Sequence, residues 1–161
     1  MNKLYMEVPV VDRIQPFTAA PNAYKALMTL DGYVQGIGIS PALVELVQTR
    51  SSQINGCEFC VEIHWARALA TGEDQQRLRM LSTWRESPLF TGPERAALSW
   101  SEAMTVIPSG GIPDAVYSDC LEHFTAQELV ELTMAVAVIN VWNRFGVAFE
   151  LKHPAKADAL T

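Results

Sequence analysis

From Leu129 to Trp142 the chain is almost entirely apolar, and a helix-capping sequence stands directly in front of it. The run contains Leu129, Val130, Leu132, Met134, Ala135, Val136, Val138, Ile139, Val141 and Trp142. Ahead of it lies Thr125-Ala126-Gln127-Glu128. In such a box, threonine and glutamate each satisfy a backbone N–H that the first helical turn leaves unpaired. The β-branched residues would also suit a strand, but the length of the run and its cap predict a helix. A helix apolar on nearly all sides cannot lie on a surface, so it is expected to run through the centre of the fold.

The remaining signals are helical as well. Pro21 opens a segment in which Tyr24, Leu27, Met28 and Leu30 recur near helical spacing, up to the break at Gly36-Ile37-Gly38. Ser40-Pro41 is a helix start, with Leu43, Leu46, Val47 and Ile54 as its apolar face and Asn55-Gly56 as its end. A further helix is predicted from about Cys57 to Thr71-Gly72, and another over 73–84 with Leu78 and Leu81 inward. Thr91-Gly92-Pro93-Glu94 forms a second capping box, opening a helix to about Val106. Pro113 opens a shorter one, with Val116, Tyr117, Cys120 and Leu121 on one side. Residues 1 to about 20 carry Pro9 and Pro16 and no sustained period. They read as an irregular arm, apolar enough at Val8, Val10, Val11, Ile14 and Phe17 to pack on the body or on a neighbouring subunit. No convincing strand is present. The expected class is all-α, a compact multi-helix bundle forming a single domain over residues 1–161. A short echo between Ser40…Leu43-Val44-Glu45-Leu46 and Thr125…Leu129-Val130-Glu131-Leu132 is compatible with two similar helix pairs.

The chemistry is concentrated in Asn55-Gly56-Cys57-Glu58-Phe59-Cys60-Val61-Glu62-Ile63-His64. Cys57 and Cys60, three apart, are neighbours on one helix face. A helix N-terminus offers unpaired N–H groups and partial positive charge, both of which stabilise a thiolate. A CxxC placed there is a reversible dithiol/disulfide, and the dipole favours Cys57, nearer the end, as the more acidic thiol. His64 follows Cys60 by one turn on the same face, where an imidazole can exchange a proton with sulfur directly or through water. The competing chemistry is zinc. Cys57, Cys60 and His64 are zinc ligand types, and a structural site needs four. Cys120, His123 and His153 are the other candidates, but Cys120-x-x-His123 falls in mid-helix without a knuckle-like turn.

The net charge of −6 comes with scattered basic residues and no Lys/Arg stripe, which argues against nucleic acid as a partner. No apolar run is long enough to span a bilayer, and the opening Met1–Glu7 has no apolar core like that of a secretory signal. The expected location is cytoplasmic, where a CxxC is more often catalytic or metal-binding than a structural bridge. Trp65, Trp84, Trp100 and Trp142 are expected mostly in the core or at an interface. Asn140, Asn143 and Arg144, set in an apolar helix, are expected to tie helices together or to border the site. Cys120 reads as a small buried hydrophobe.

Cys57-x-x-Cys60-x-x-x-His64, with Glu45 twelve residues before Cys57 and Asn140-x-x-Asn143-Arg144 later in an apolar helix, resembles the alkylhydroperoxidase D-like branch of the carboxymuconolactone decarboxylase family. The likeness is clearest from Ser40 to Thr71 and elsewhere lies in the helical layout. It implies an all-helical homo-oligomer that reduces hydroperoxides with no metal or organic cofactor. Cys60 would attack the peroxide, Cys57 would resolve the product to a disulfide, and His64 and Glu45 would relay protons. An external dithiol, thioredoxin-like or a lipoyl protein, would then reduce the disulfide. The spacing argument and the resemblance thus point to different attacking cysteines. This chain also departs from the founding peroxidases, which carry histidine where Phe59 stands. That departure keeps open a disulfide oxidoreductase or redox sensor with little peroxidase turnover. The decarboxylase branch lacks this CxxC, which makes ring-lactone decarboxylation the weaker alternative.

Overall fold

The computed structural model describes residues 12–152. Val8, Val10, Val11, His153 and the rest of the tail lie outside them. Among the described residues there are eight α-helices and one 3₁₀ turn, with no strand. They are α1 (Pro16–Ala19), α2 (Pro21–Val34), α3 (Pro41–Asn55), α4 (Glu58–Ala70), α5 (Gln75–Met80) with the turn Leu81–Thr83, α6 (Gly92–Thr105), α7 (Asp114–His123) and α8 (Ala126–Ala148). The class is all-α, as the capping and periodicity signals predict. No single described helix is long and apolar enough to cross a membrane.

Two helices form the centre. α8 packs against α2, α3, α4, α6 and α7, and α3 packs against α4, α6 and α8. The Thr125 box is complete. Thr125 Oγ1 accepts from the Glu128 N–H at 3.2 Å, and Glu128 Oε2 accepts from the Thr125 N–H at 2.8 Å. The Thr91 N–H donates to Glu94 Oε2 at 2.7 Å in the same way. α8 buries Leu132, Ala135, Val136, Val138 and Ile139, yet leaves Val130, Val141 and Val147 exposed. It is central but presents one stripe outward.

Several local expectations change. The arm is not irregular throughout, because residues 16–19 form α1 with Pro16 at its first position. Phe17 packs on the body, while Ile14 is exposed. The helix expected over 73–84 starts after an Asp74 cap and tightens into the 3₁₀ turn before Trp84. Ser40 occupies the N-cap of α3, but its side chain makes no capping hydrogen bond. On α7, Cys120 is buried whereas Tyr117 and Leu121 are exposed, because only one edge of this short helix meets α6 and α8. Trp84 and Trp100 belong to the core. Trp65 and Trp142 are only partly buried.

The largest departure concerns α3. Its sequence reads as amphipathic, but α4, α6 and α8 surround it and bury Gln48, Thr49, Ser51 and Ser52 along with the aliphatic residues. Buried polar groups require partners: Thr49 and Ser52 donate to the Glu45 and Gln48 carbonyls of α3 itself, and Ser51 pairs across helices. Ser51 Oγ lies 2.9 Å from Ser101 Oγ, and Thr105 Oγ1 donates to Ser51 Oγ at 3.1 Å. Asn140 Nδ2 donates to Thr105 Oγ1, also at 3.1 Å. Hydroxyls and amides therefore stitch α3, α6 and α8 along a buried seam.

Candidate functional site

Where α3 ends, Gly56 takes φ 66°, ψ 29°, the left-handed conformation that a residue without Cβ adopts at no steric cost. The Cys57 N–H still reaches back to the Ser52 carbonyl at 3.0 Å, so the turn is tight. Cys57 is the N-cap of α4, and its Sγ accepts from the Cys60 N–H at 3.3 Å. The sulfur thus sits where the spacing argument places it, at an unpaired donor of a helix N-terminus. Cys57 and Cys60 form a disulfide with Cα atoms 5.4 Å apart, and both are nearly fully buried.

Glu45 and His64 meet across α3 and α4. Glu45, on the first half of α3, is 4% exposed, and His64, one turn beyond Cys60 on α4, is 5% exposed. His64 Nδ1 lies 2.7 Å from Glu45 Oε2. An ionised carboxylate can only accept, so against one Nδ1 is the donor and Nε2 is the ring nitrogen left for exchange. Leaving either group unpaired at this depth would cost about 3 kcal/mol. The four residues singled out in the sequence are therefore drawn together by one turn and two adjacent helices.

The turn is anchored from α8. Asn55 Nδ2 donates to Asn140 Oδ1 at 2.9 Å and to Asn143 Oδ1 at 2.8 Å, and Asn143 Nδ2 donates to Ser52 Oγ at 2.9 Å. Arg144 Nη1 holds the Asn140 carbonyl at 2.6 Å. Asn140 and Asn143 thus tie helices and border the site at once. Cys120 has a different character. It donates to the Ala96 carbonyl at 3.5 Å, and burial, helped by the Asp119 charge, pushes its thiol up to about 11. At neutral pH it stays a protonated, inert thiol. The zinc alternative gains nothing from it. Among the described residues no three His, Cys, Asp or Glu side chains gather as a metal site.

Gly146 escapes a spacing-based reading. It lies inside α8 and faces the disulfide. A Cβ there would clash with Cys57 Sγ and stand 3.4 Å from Cys60 Sγ. A glycine within an otherwise apolar helix was the available signal, since it costs about 1 kcal/mol relative to alanine and calls for a packing reason. Gly146→Ala should therefore forfeit the usual helix gain and instead destabilise the oxidised protein by roughly 1–3 kcal/mol through overpacking. Urea denaturation of oxidised wild type and variant measures this. A variant about 1 kcal/mol more stable than wild type would refute the tight fit.

On its outer side the disulfide opens onto a cleft of about 260 Å³ lined by residues that include Cys60, His64, Phe59, Phe17, Tyr24 and Trp142. Cys57 is not among the lining residues. The cleft walls from α1 and α2 went unrecognised in the sequence, because nothing local links an N-terminal segment to a helix more than a hundred residues away.

Known proteins resemble this chain along most of its length. The profile of the carboxymuconolactone decarboxylase family matches residues 21–103. The chain is 36% identical over 136 residues to the uncharacterized protein YdfG of Bacillus subtilis (strain 168), covering 84% of this chain and 92% of that protein. It is 35% identical over 113 residues to the uncharacterized protein YnjA of Escherichia coli (strain K12), covering 70% and 62% respectively. Among solved structures, ATU0492 of Agrobacterium tumefaciens, a protein of unknown function proposed to be the antioxidant defence protein AhpD, superposes with TM-score 0.86 at 40% identity. That match covers 91% of this chain and 100% of the other.

Proposed function

The chain belongs to the alkylhydroperoxidase D-like branch of the carboxymuconolactone decarboxylase family, and from that premise we propose that it is a thiol peroxidase cycling between a Cys57/Cys60 dithiol and its disulfide. The observation that carries the reading is a buried Cys57–Cys60 disulfide together with a buried Glu45–His64 hydrogen bond of 2.7 Å, with Cys60 and His64 on one cleft. A dithiol that takes electrons from an external donor and gives them to a substrate needs this combination: two sulfurs in bonding reach, a proton carrier and access.

In the reduced protein the Cys60 thiolate attacks the terminal oxygen of a hydroperoxide ROOH. The O–O bond breaks, the sulfur becomes a sulfenic acid, and the alkoxide leaves as ROH with a proton delivered through His64. The Cys57 sulfur then attacks Cys60, an S–S bond forms, and water departs. An external dithiol, of the thioredoxin or dihydrolipoyl kind, restores both thiols by exchange and supplies the two electrons and two protons. Placement of Cys60 on the cleft supports it as the attacking cysteine. Cys57, packed against Gly146 and not lining the cleft, would resolve. The helix dipole still serves Cys57, since a stabilised thiolate is the form that attacks the sulfenic acid. Neither a metal nor an organic cofactor enters this cycle. The exposed apolar side chains of Leu30, Tyr33 and Val130 supply surface for assembly with further copies of the chain.

The test is consumption of tert-butyl hydroperoxide with dithiothreitol or dihydrolipoamide as reductant. Turnover well above the protein-free rate is expected. Phe59, an apolar residue on the cleft between the two cysteines, favours as second reading a disulfide oxidoreductase or redox sensor. That reading wins if the Cys57–Cys60 disulfide cycles reversibly while peroxide is consumed no faster than without protein.

A further inference from the structure

Resting on the peroxidase reading, the geometry points to a narrower substrate class: aryl-bearing organic hydroperoxides, selected by an aromatic wall that α1 and α2 build over Cys60. Phe17 and Tyr24 have ring centroids 4.5 Å apart, and Trp142 stands 5.8 Å from Phe17 and 6.1 Å from Tyr24, edge-on to both. Phe59 and Ile63 from α4 complete the apolar lining. The indole is held in place because its Nε1–H donates to Asp31 Oδ1 at 3.2 Å, which fixes the ring as a wall. The charged lining residues are Asp31, which holds the indole, and Arg67, on the exposed face of α4.

Size and chemistry both decide against hydrogen peroxide as the molecule this cleft selects. An apolar cavity of about 150 Å³ suffices for benzene. The cleft beside Cys60, at about 260 Å³, takes a phenyl ring together with the carbon that bears the hydroperoxy group. A small polar peroxide would leave most of that apolar surface wet and gain nothing from it. A ring among edge-on aromatic neighbours meets the arrangement that aromatic pairs prefer. Binding of the remote ring places the O–O bond at Cys60, and the hydroperoxide end meets His64, which borders the same cleft. Tyr24 and Phe17 are thus specificity-determining residues. They take no part in the sulfur chemistry.

Cumene hydroperoxide and tert-butyl hydroperoxide test this, because both are tertiary and differ by a phenyl ring in place of a methyl group. The wild-type ratio of kcat/KM, cumene over tert-butyl, is expected to be about tenfold or more. It should fall toward unity in Tyr24→Ala, a partly exposed position, and in Phe17→Ala. Val106→Ala, at an exposed position at the end of α6, should keep the wild-type ratio. A ratio near unity in an active wild-type enzyme, or one unchanged in both aromatic variants, overturns the proposal and leaves the peroxidase reading standing. Absence of turnover with either peroxide overturns the peroxidase reading itself. The wall is then decided separately by alkylation of the reduced protein: 2-phenyl-2-propanol should slow iodoacetamide labelling of Cys60 and tert-butanol should not, and equal labelling rates would reject the aryl site.

Discussion

Cys60→Ser is expected to reduce peroxide turnover to background, a loss of at least about 10³-fold, because a serine hydroxyl at neutral pH is neither ionised nor a match for thiolate nucleophilicity. Cys57→Ser should lose steady-state turnover to a similar degree but for a different reason. Its Cys60 can still attack one equivalent of peroxide and then stops as a sulfenic acid with no sulfur in reach. Rapid mixing with a single equivalent of hydroperoxide separates the two variants. Cys57→Ser should consume it and carry a dimedone-reactive adduct at Cys60, whereas Cys60→Ser should consume none. The opposite pattern would assign the attack to Cys57, as the helix-dipole argument alone suggests. Full steady-state activity in either variant would end the two-cysteine mechanism.

The second large effect belongs to the buried acid–imidazole pair. Loss of positioned proton transfer typically costs 10²–10⁴-fold, so His64→Ala and Glu45→Gln should each lower kcat/KM by about 10²-fold or more. The diagnostic result lies in the combination. Glu45 touches His64 at 2.7 Å, and in the proposed cycle it acts on the sulfur only through the imidazole. Once the imidazole is gone, Glu45 has no proton to orient, and the double variant should be no slower than His64→Ala alone. Residues acting as one unit show this non-additivity. If the two losses multiply instead, Glu45 serves the reaction by a separate route. Circular dichroism of the variants guards against a folding failure, since His64→Ala deletes and Glu45→Gln alters one member of a buried hydrogen bond.

The helical layout was legible because its signals are local. Thr125 and Glu128 announce a helix start within four residues, and Asn55-Gly56 announces a stop. No tertiary knowledge is needed for either. The dithiol and His64 were legible for the same reason, since spacing on one helix decides which faces they share. Glu45 was different. A glutamate on a helix that reads as amphipathic is ordinarily solvated, and only the likeness to a known family marked it. The structure explains the failure of pattern here: α3 is enclosed by three helices, so its polar residues turn inward to one another and to His64. Gly146 and the Phe17–Tyr24 wall are matters of what faces what across long stretches of chain. Tyr117 and Leu121 erred in the other direction, since an apolar stripe on a short helix does not say how much of it a neighbour covers.

The placement of the aromatic wall has a consequence for how such a protein can change over generations. Phe17 and Tyr24 stand on helices that contribute no sulfur, no proton carrier and none of the asparagine contacts that hold the Cys57 turn. On the proposed reading, mutation at these N-terminal helices exchanges one accepted molecule for another while the residues assigned to the sulfur chemistry are inherited intact. Descendants of such a chain would be expected to diverge in what they detoxify well before they diverge in how they do it.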